Sequence, residues 1–183
     1  TEIEADLDEE NGTYLGIEND RQEFKTSFFI APKNAKEQNQ KLTILRGVCA
    51  FLNTRVGGTL YLGVDDLGYI KGVSQDIDYM ERTTYGRYKG LDGYMRLITD
   101  EAKKIFDISI LTNIRIVPMY DNQVVAITVN PYEYDIVKVE DQAWIRINSE
   151  TVRMSEASRR QIMADRILSQ KEDAANIATR MDA

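Results

Sequence analysis

The feature that most constrains this chain is a passage from helix to strand near its middle. Leu42, Leu45, Val48, Cys49 and Leu52 recur at helical spacing and predict a helix over residues 37–53 with one buried face. Gly57-Gly58 then permits a tight reversal. Residues 59–64 (TLYLGV) read as a short apolar strand of the buried type. Asp65-Asp66-Leu67-Gly68 turns the chain, and residues 69–73 are expected to return as a hairpin partner.

The flanking segments extend this pattern. Residues 1–12 read as a solvated acidic arm, or as a short helix around Ile3 and Leu7. Residues 21–29 (RQEFKTSFF) read as a strand, residues 31–39 as a loop containing Pro32, and residues 74–90 as a loop rich in Tyr, Thr and Arg. A second helix is expected over 91–106, on the stripe Leu91, Met95, Ile98, Ala102 and Ile105. Strands are expected at 113–120 and 123–130 around a two-residue turn at Asp121-Asn122, and a third at 143–148. A closing helix starts with Ser155 or Ser158 as its cap and carries Ile162, Met163, Ile167 and Leu168. The order strand, helix, hairpin, helix, strands, helix argues for an α+β domain with a mixed β-sheet, its hairpins flanked by about three helices.

Composition narrows the chemistry. The 183 residues contain no His and one Cys, so His-based triads, His-ligated zinc and internal disulfides are excluded. A lone cysteine fits a reducing, cytoplasmic setting. The formal charge is −7, but residues 1–10 hold six acids and no base, which leaves the rest at −1. Bulk charge therefore gives no support for tight nonspecific nucleic-acid binding, while a local basic patch stays open. No apolar run approaches the roughly 18 residues that span a membrane. The chain starts at Thr1 without Met, as a processed or trimmed chain does.

Four groups of residues carry possible chemistry. The first is Glu18, Glu23 and Asp65 or Asp66. The two glutamates are five residues apart, on opposite faces of a flat strand, so they meet only if the chain bends, for instance at Asn19-Asp20. Three carboxylates at one point favour Mg²⁺ or Mn²⁺, which can activate water against a phosphodiester. The plainer reading is a good turn at 65–68 with no metal. The second is Lys25, on the same strand face as Glu23, either holding a phosphate or making a surface ion pair. The third is the loop with Arg82, Tyr85, Arg87, Tyr88 and Lys89, where cations interleave with tyrosines as phosphate contacts and base stacking require. A solvated loop with spare aromatics is the alternative. The fourth is Arg146 with Arg153, Arg159 and Arg160, a second phosphate-binding patch or a set of local pairs with Glu150 and Glu156. Gly57-Gly58 lacks the lysine of a P-loop, and Cys49 sits on the apolar stripe as a core residue.

Taken together, these segments resemble a known family. Glu18-Asn-Asp-Arg-Gln-Glu23-Phe24-Lys25 resembles the E-x4-E-F-K opening of the Schlafen Alba-like domain. Residues 48–54 (VCAFLNT) followed by 57–66 (GGTLYLGVDD) are similar to that family's AFANT-GG-x4-GVDD core. Residues 68–73 (GYIKGV) and 145–151 (IRINSET) resemble its G-x-I-x-G-V and R-x-G-S-x-T segments. Two departures stand out: Thr54-Arg55-Val56 is one residue longer than the usual spacing, and Asn148 replaces the glycine after the late arginine.

The resemblance implies a nucleic-acid-related role. In the animal Schlafen branch a metal-dependent RNA-cleaving site uses the two opening glutamates and the second Asp of GVDD, positions held here by Glu18, Glu23 and Asp66. Bacterial relatives are described as DNA-binding proteins or regulators, and some as ATP-binding. The leading expectation is thus a cytoplasmic DNA- or RNA-binding module of a transcriptional regulator, with residues 13–155 as the domain. The rivals are a Mg²⁺- or Mn²⁺-dependent endoribonuclease with Lys25 on the phosphate, and an assembly domain. In the last, residues 156–183 make a homo-oligomer or lead into further chain.

Overall fold

The computed structural model describes residues 6–8, 12–83, 85 and 87–183. Its central element is helix α1 (Gln40–Leu52), started by Asn39, whose Oδ1 accepts the Leu42 N–H at 3.2 Å. The expected stripe is too narrow. Ile44 and Phe51 are buried along with Leu45, Val48, Cys49 and Leu52, because α1 is covered on two sides. A four-stranded sheet lies on one side and a three-stranded sheet on the other.

The larger sheet has the order β3 (Gln22–Lys25), β4 (Gly58–Leu62), β6 (Val124–Val129), β5 (Ile114–Met119). β3 runs parallel to β4 with Glu23 opposite Leu60, and the other pairs are antiparallel. α1 is the crossover that a parallel pair requires. Strand alternation divides β4. Leu60 and Leu62 join α1 and the second long helix, α3 (Gly90–Lys103), in the main core. Tyr61 instead joins Leu15, Phe24, Val124 and Ala126 in a smaller core on the other face. The turn into β4 needs glycine at 57: its φ is +72°, and a Cβ there would stand 2.1 Å from the Val129 carbonyl oxygen.

The smaller sheet is β7 (Lys138–Val139), β8 (Gln142–Ile147), β9 (Glu150–Arg153). Asn148, in the β8–β9 turn, has φ +53°. Asn tolerates this left-handed region better than most residues, which suits it to this turn. Helix α5 (Glu156–Met181) closes the described chain, with Ser155 Oγ accepting the Ser158 N–H at 3.1 Å. Among the described residues no helix is long and apolar enough to cross a membrane.

The architecture is α+β with a mixed sheet, as the segment order implies. Several local expectations differ. The acidic leader contributes a strand, β1 (Asp6–Asp8), paired with β2 (Gly12–Tyr14), rather than a helix at Leu7; Ile3 lies outside the described residues. The strand expected over 21–29 stops at Lys25, because Ser27 and Phe28 turn toward Asp76. Residues 69–73 form only isolated bridges, Tyr14 to Tyr69 and Val64 to Ile70. The segment expected as a loop contains α2 (Ser74–Arg82), and a short α4 (Ile108–Leu111) follows α3. The connection between β5 and β6 takes four residues, 120–123, rather than the two expected, with Tyr120, Asp121 and Asn122 left-handed.

Candidate nucleic-acid interface

The opening motif is built around a turn. Asn19 Oδ1 accepts the N–H groups of Arg21 (2.8 Å) and Gln22 (3.1 Å), which makes the bend between the glutamates. Beyond it, Glu18 Oε1 accepts the Phe24 N–H at 2.8 Å. Glu23 is 8% exposed, with Oε1 3.3 Å from Lys25 Nζ and Oε2 3.2 Å from Arg146 Nη1. The Glu23 carboxylate rests on Gly47 of α1, where a Cβ would come within 2.8 Å of Oε2.

Arg146 is the other half of this arrangement. Its side chain has 0% exposure. Nη2 donates to the carbonyls of Asn19 and Gln22, both at 3.2 Å, and the guanidinium stands 5.4 Å from the Phe51 ring centre. A buried guanidinium needs a counter-charge and acceptors, and Glu23 with the two carbonyls supplies them. Arg146 therefore ties β8 to the opening turn and presents no cation to solvent. The rest of the expected second patch is divided between local pairing and exposure. Arg153 lies over Trp144 at 5.6 Å, Arg159 pairs with Glu156, and Arg160 is exposed.

Asp65 and Asp66 divide their tasks. Asp65 Oδ1 accepts the N–H groups of Leu67 (3.0 Å) and Tyr69 (2.9 Å), and Oδ2 lies 3.5 Å from Lys71 Nζ. Asp66 is exposed on the turn. The three carboxylates expected to share a cation are not gathered in this structure. Among the described residues no three acidic or thiol side chains gather as a metal ion requires. Glu18 is turned onto a backbone N–H and Glu23 onto Lys25 and Arg146, while Asp66 is exposed. The residues present do not fit the Mg²⁺ or Mn²⁺ that the resemblance implies.

The Arg/Tyr loop behaves differently. Tyr88 is only 3% exposed, and its hydroxyl donates to Asp100 Oδ2 at 2.6 Å. Arg87 lies 4.8 Å and Arg96 5.3 Å from its ring centre, and Arg87 Nη2 donates to its hydroxyl at 2.9 Å. Arg87, Tyr88, Arg96 and Asp100 line a shallow cleft of about 280 Å³. Arg82, Arg87, Lys89 and Arg96 are all exposed. Tyr85 is half-buried: it stacks on Phe29, and its hydroxyl accepts from Lys41. The tyrosines thus hold cations in place as well as contributing rings, and Arg96, from outside the expected loop, joins Arg87 at the cleft.

Two residues central to this face carry no clear sequence signal. Arg96 lies on α3 and looks like any solvated helical arginine. Asp76, inside the polar helix α2, is buried and accepts from Ser27 Oγ (2.5 Å), the Phe28 N–H (2.7 Å) and the Tyr94 hydroxyl (2.5 Å). It joins the end of β3 to α2 and α3. Burial, then the neighbouring Asp76 charge, pushes the Tyr94 phenol well above its ordinary range. Burial pushes the Cys49 thiol up to about 12, which makes it inert.

Comparison with known proteins agrees with this architecture. Among solved structures, the DIP2311 protein from Corynebacterium diphtheriae is similar, with a TM-score of 0.50 and 16% identity over 78% of this chain and 23% of that one. At that identity the likeness speaks for the fold alone, and this chain spans less than a quarter of the other's length. No curated protein matches. The profile of the family described as Schlafen, AlbA_2 matches residues 18–155, more than half of the sequence and the whole of the α1–β4 passage, so the chain belongs to that family.

Proposed function

We propose that this domain binds nucleic acid, DNA or RNA, through the face formed by Arg82, Arg87, Lys89 and Arg96. The supporting observation is the cleft in which Arg87 and Arg96 converge on Tyr88. Two guanidiniums beside one another suit a phosphate, which accepts paired N–H donors. Asp100 offsets part of that charge, but residues 82–104 still carry six cations against three acids in a chain of net −7. Association with an anionic polymer thus has a local foothold that bulk charge conceals. The regulator role and cytoplasmic setting expected from the sequence belong to the same reading.

The test is fluorescence anisotropy with labelled DNA and RNA across salt, between about 50 and 200 mM, where phosphate-dependent binding falls steeply. Arg87→Ala with Arg96→Ala is expected to lower the slope of log affinity against log salt by about 2, roughly one for each phosphate left without its guanidinium. Affinity that ignores salt, or no binding to either polymer, rejects the reading. Cleavage of the probe is not part of it, because Glu18 and Glu23 are turned to separate partners and Asp66 lies exposed on its turn.

A further inference from the structure

Next to the cationic cleft lies a group of aromatic rings that the core only partly uses. Phe29 stacks on Tyr85 (5.4 Å between centres, 28° between planes) and tilts against Tyr79 (5.2 Å, 40°). Behind it, Phe28 meets it edge-on at 5.6 Å and Tyr94 at 6.1 Å. Phe28 and Tyr94 are fully buried and belong to the core. The three outer rings keep surface free: Tyr79 is 38% exposed, and Phe29 and Tyr85, packed against the core, are half-buried. Ile30, next in the chain, is 54% exposed.

Folding does not explain an outward ring at position 79. Helix α2 is already held by buried Asp76 and Met80. Cations border the rings. Lys41 Nζ stands 4.8 Å from the Tyr85 ring centre, although it also approaches Glu101 at 4.0 Å. Arg82 is three residues after Tyr79 on the same side of α2. The rings and the cleft meet where the Tyr88 N–H donates to the Tyr85 carbonyl at 2.9 Å.

We infer that the ligand of this face is single-stranded nucleic acid, with unpaired bases stacked on the Phe29–Tyr79–Tyr85 rings while the phosphates meet Arg82, Arg87 and Arg96. The inference rests on the nucleic-acid reading above and adds the strandedness of the ligand. A base inside a duplex already stacks on its neighbours and presents only its edges. An unpaired base offers its face, whatever its identity, and aromatic rings bordered by cations take up that face.

The experiment compares a labelled oligothymidylate of about 16 nucleotides with a duplex of the same length, by anisotropy on the full chain. The wild type is expected to prefer the single strand. Tyr79→Ala is expected to weaken single-strand binding about tenfold or more and leave duplex binding unchanged, with Tyr79→Phe restoring it. Phe29→Leu, which keeps an apolar filler but removes the ring, is expected to act in the same direction. A thermal melt confirms that each variant is folded. The inference is overturned if both ring-removing variants bind the single strand as the wild type does, or if the duplex is preferred. If the wild type binds duplex with the expected salt slope but shows no single-strand preference, only this inference fails. If it binds neither polymer, the parent reading fails with it.

Discussion

Arg146 and the Arg87–Arg96 pair are the same residue type in opposite surroundings. Arg146 is sealed from water and spends its guanidinium on Glu23 and two carbonyls of the opening turn. Arg87 and Arg96 stand exposed beside the ring of Tyr88. A buried guanidinium holds structure together because its charge is neutralised on all sides. An exposed guanidinium fixed by an aromatic ring keeps its charge for a ligand. The deciding factor is the supply of acceptors around the group, which a string of residues does not display.

Substitution separates the two kinds of arginine. Arg146→Ala leaves Glu23 buried without its counter-charge, and is expected to lower unfolding free energy by about 3–5 kcal/mol in urea melts. Removing both partners, Arg146→Met with Glu23→Leu, is expected to cost less than Arg146→Ala alone. Equal or larger loss in the double variant would show that the pair itself is net stabilising. Gly47→Ala, which pushes a methyl against Glu23 Oε2, is expected to cost about 1–3 kcal/mol from the strain of overpacking. Arg87→Ala with Arg96→Ala is expected to move stability by no more than about 0.5 kcal/mol, while lowering the salt slope of nucleic-acid binding by about 2. A large stability loss there would make those residues structural like Arg146.

Alkaline titration extends the same contrast between buried and exposed groups. The Cys49 thiol is raised from 9.0 to about 12 in the fold, and Tyr94 and Tyr61 are raised above 10.0, each mainly by burial. The unfolded chain loses these protons first, so from about pH 9 upward it binds fewer protons than the native state, and stability falls as pH rises. Melts should be flat in this respect between neutral pH and about 8.5 and decline beyond. Cys49 should also resist a thiol reagent at about pH 8 until denaturant is added. Rapid labelling of the native protein would contradict its burial.

Much of the fold was legible where apolar periodicity was strong. Helix α1, strands β4 to β6 and helix α3 follow from their stripes and alternation, and Ser155 from capping chemistry. Helix α2 was not, because SQDIDYMER is polar on most of its turns and its anchor is an aspartate, a residue that pattern reading assigns to solvent. The site was legible in its residue types and not in its pairings. Glu23 and Arg146 are 123 positions apart, and neither carries a mark of the other. The same holds for Arg96, which becomes part of a cleft only because α3 brings it beside Tyr88.

Asp76 also governs the outer face. One buried carboxylate holds the start of the Phe28–Phe29 segment, the helix bearing Tyr79, and Tyr94 of the next helix. These three pieces of chain support the exposed rings, so their spacing is set from beneath. A ligand arriving there meets a surface already in register, and little ordering remains to be done on docking.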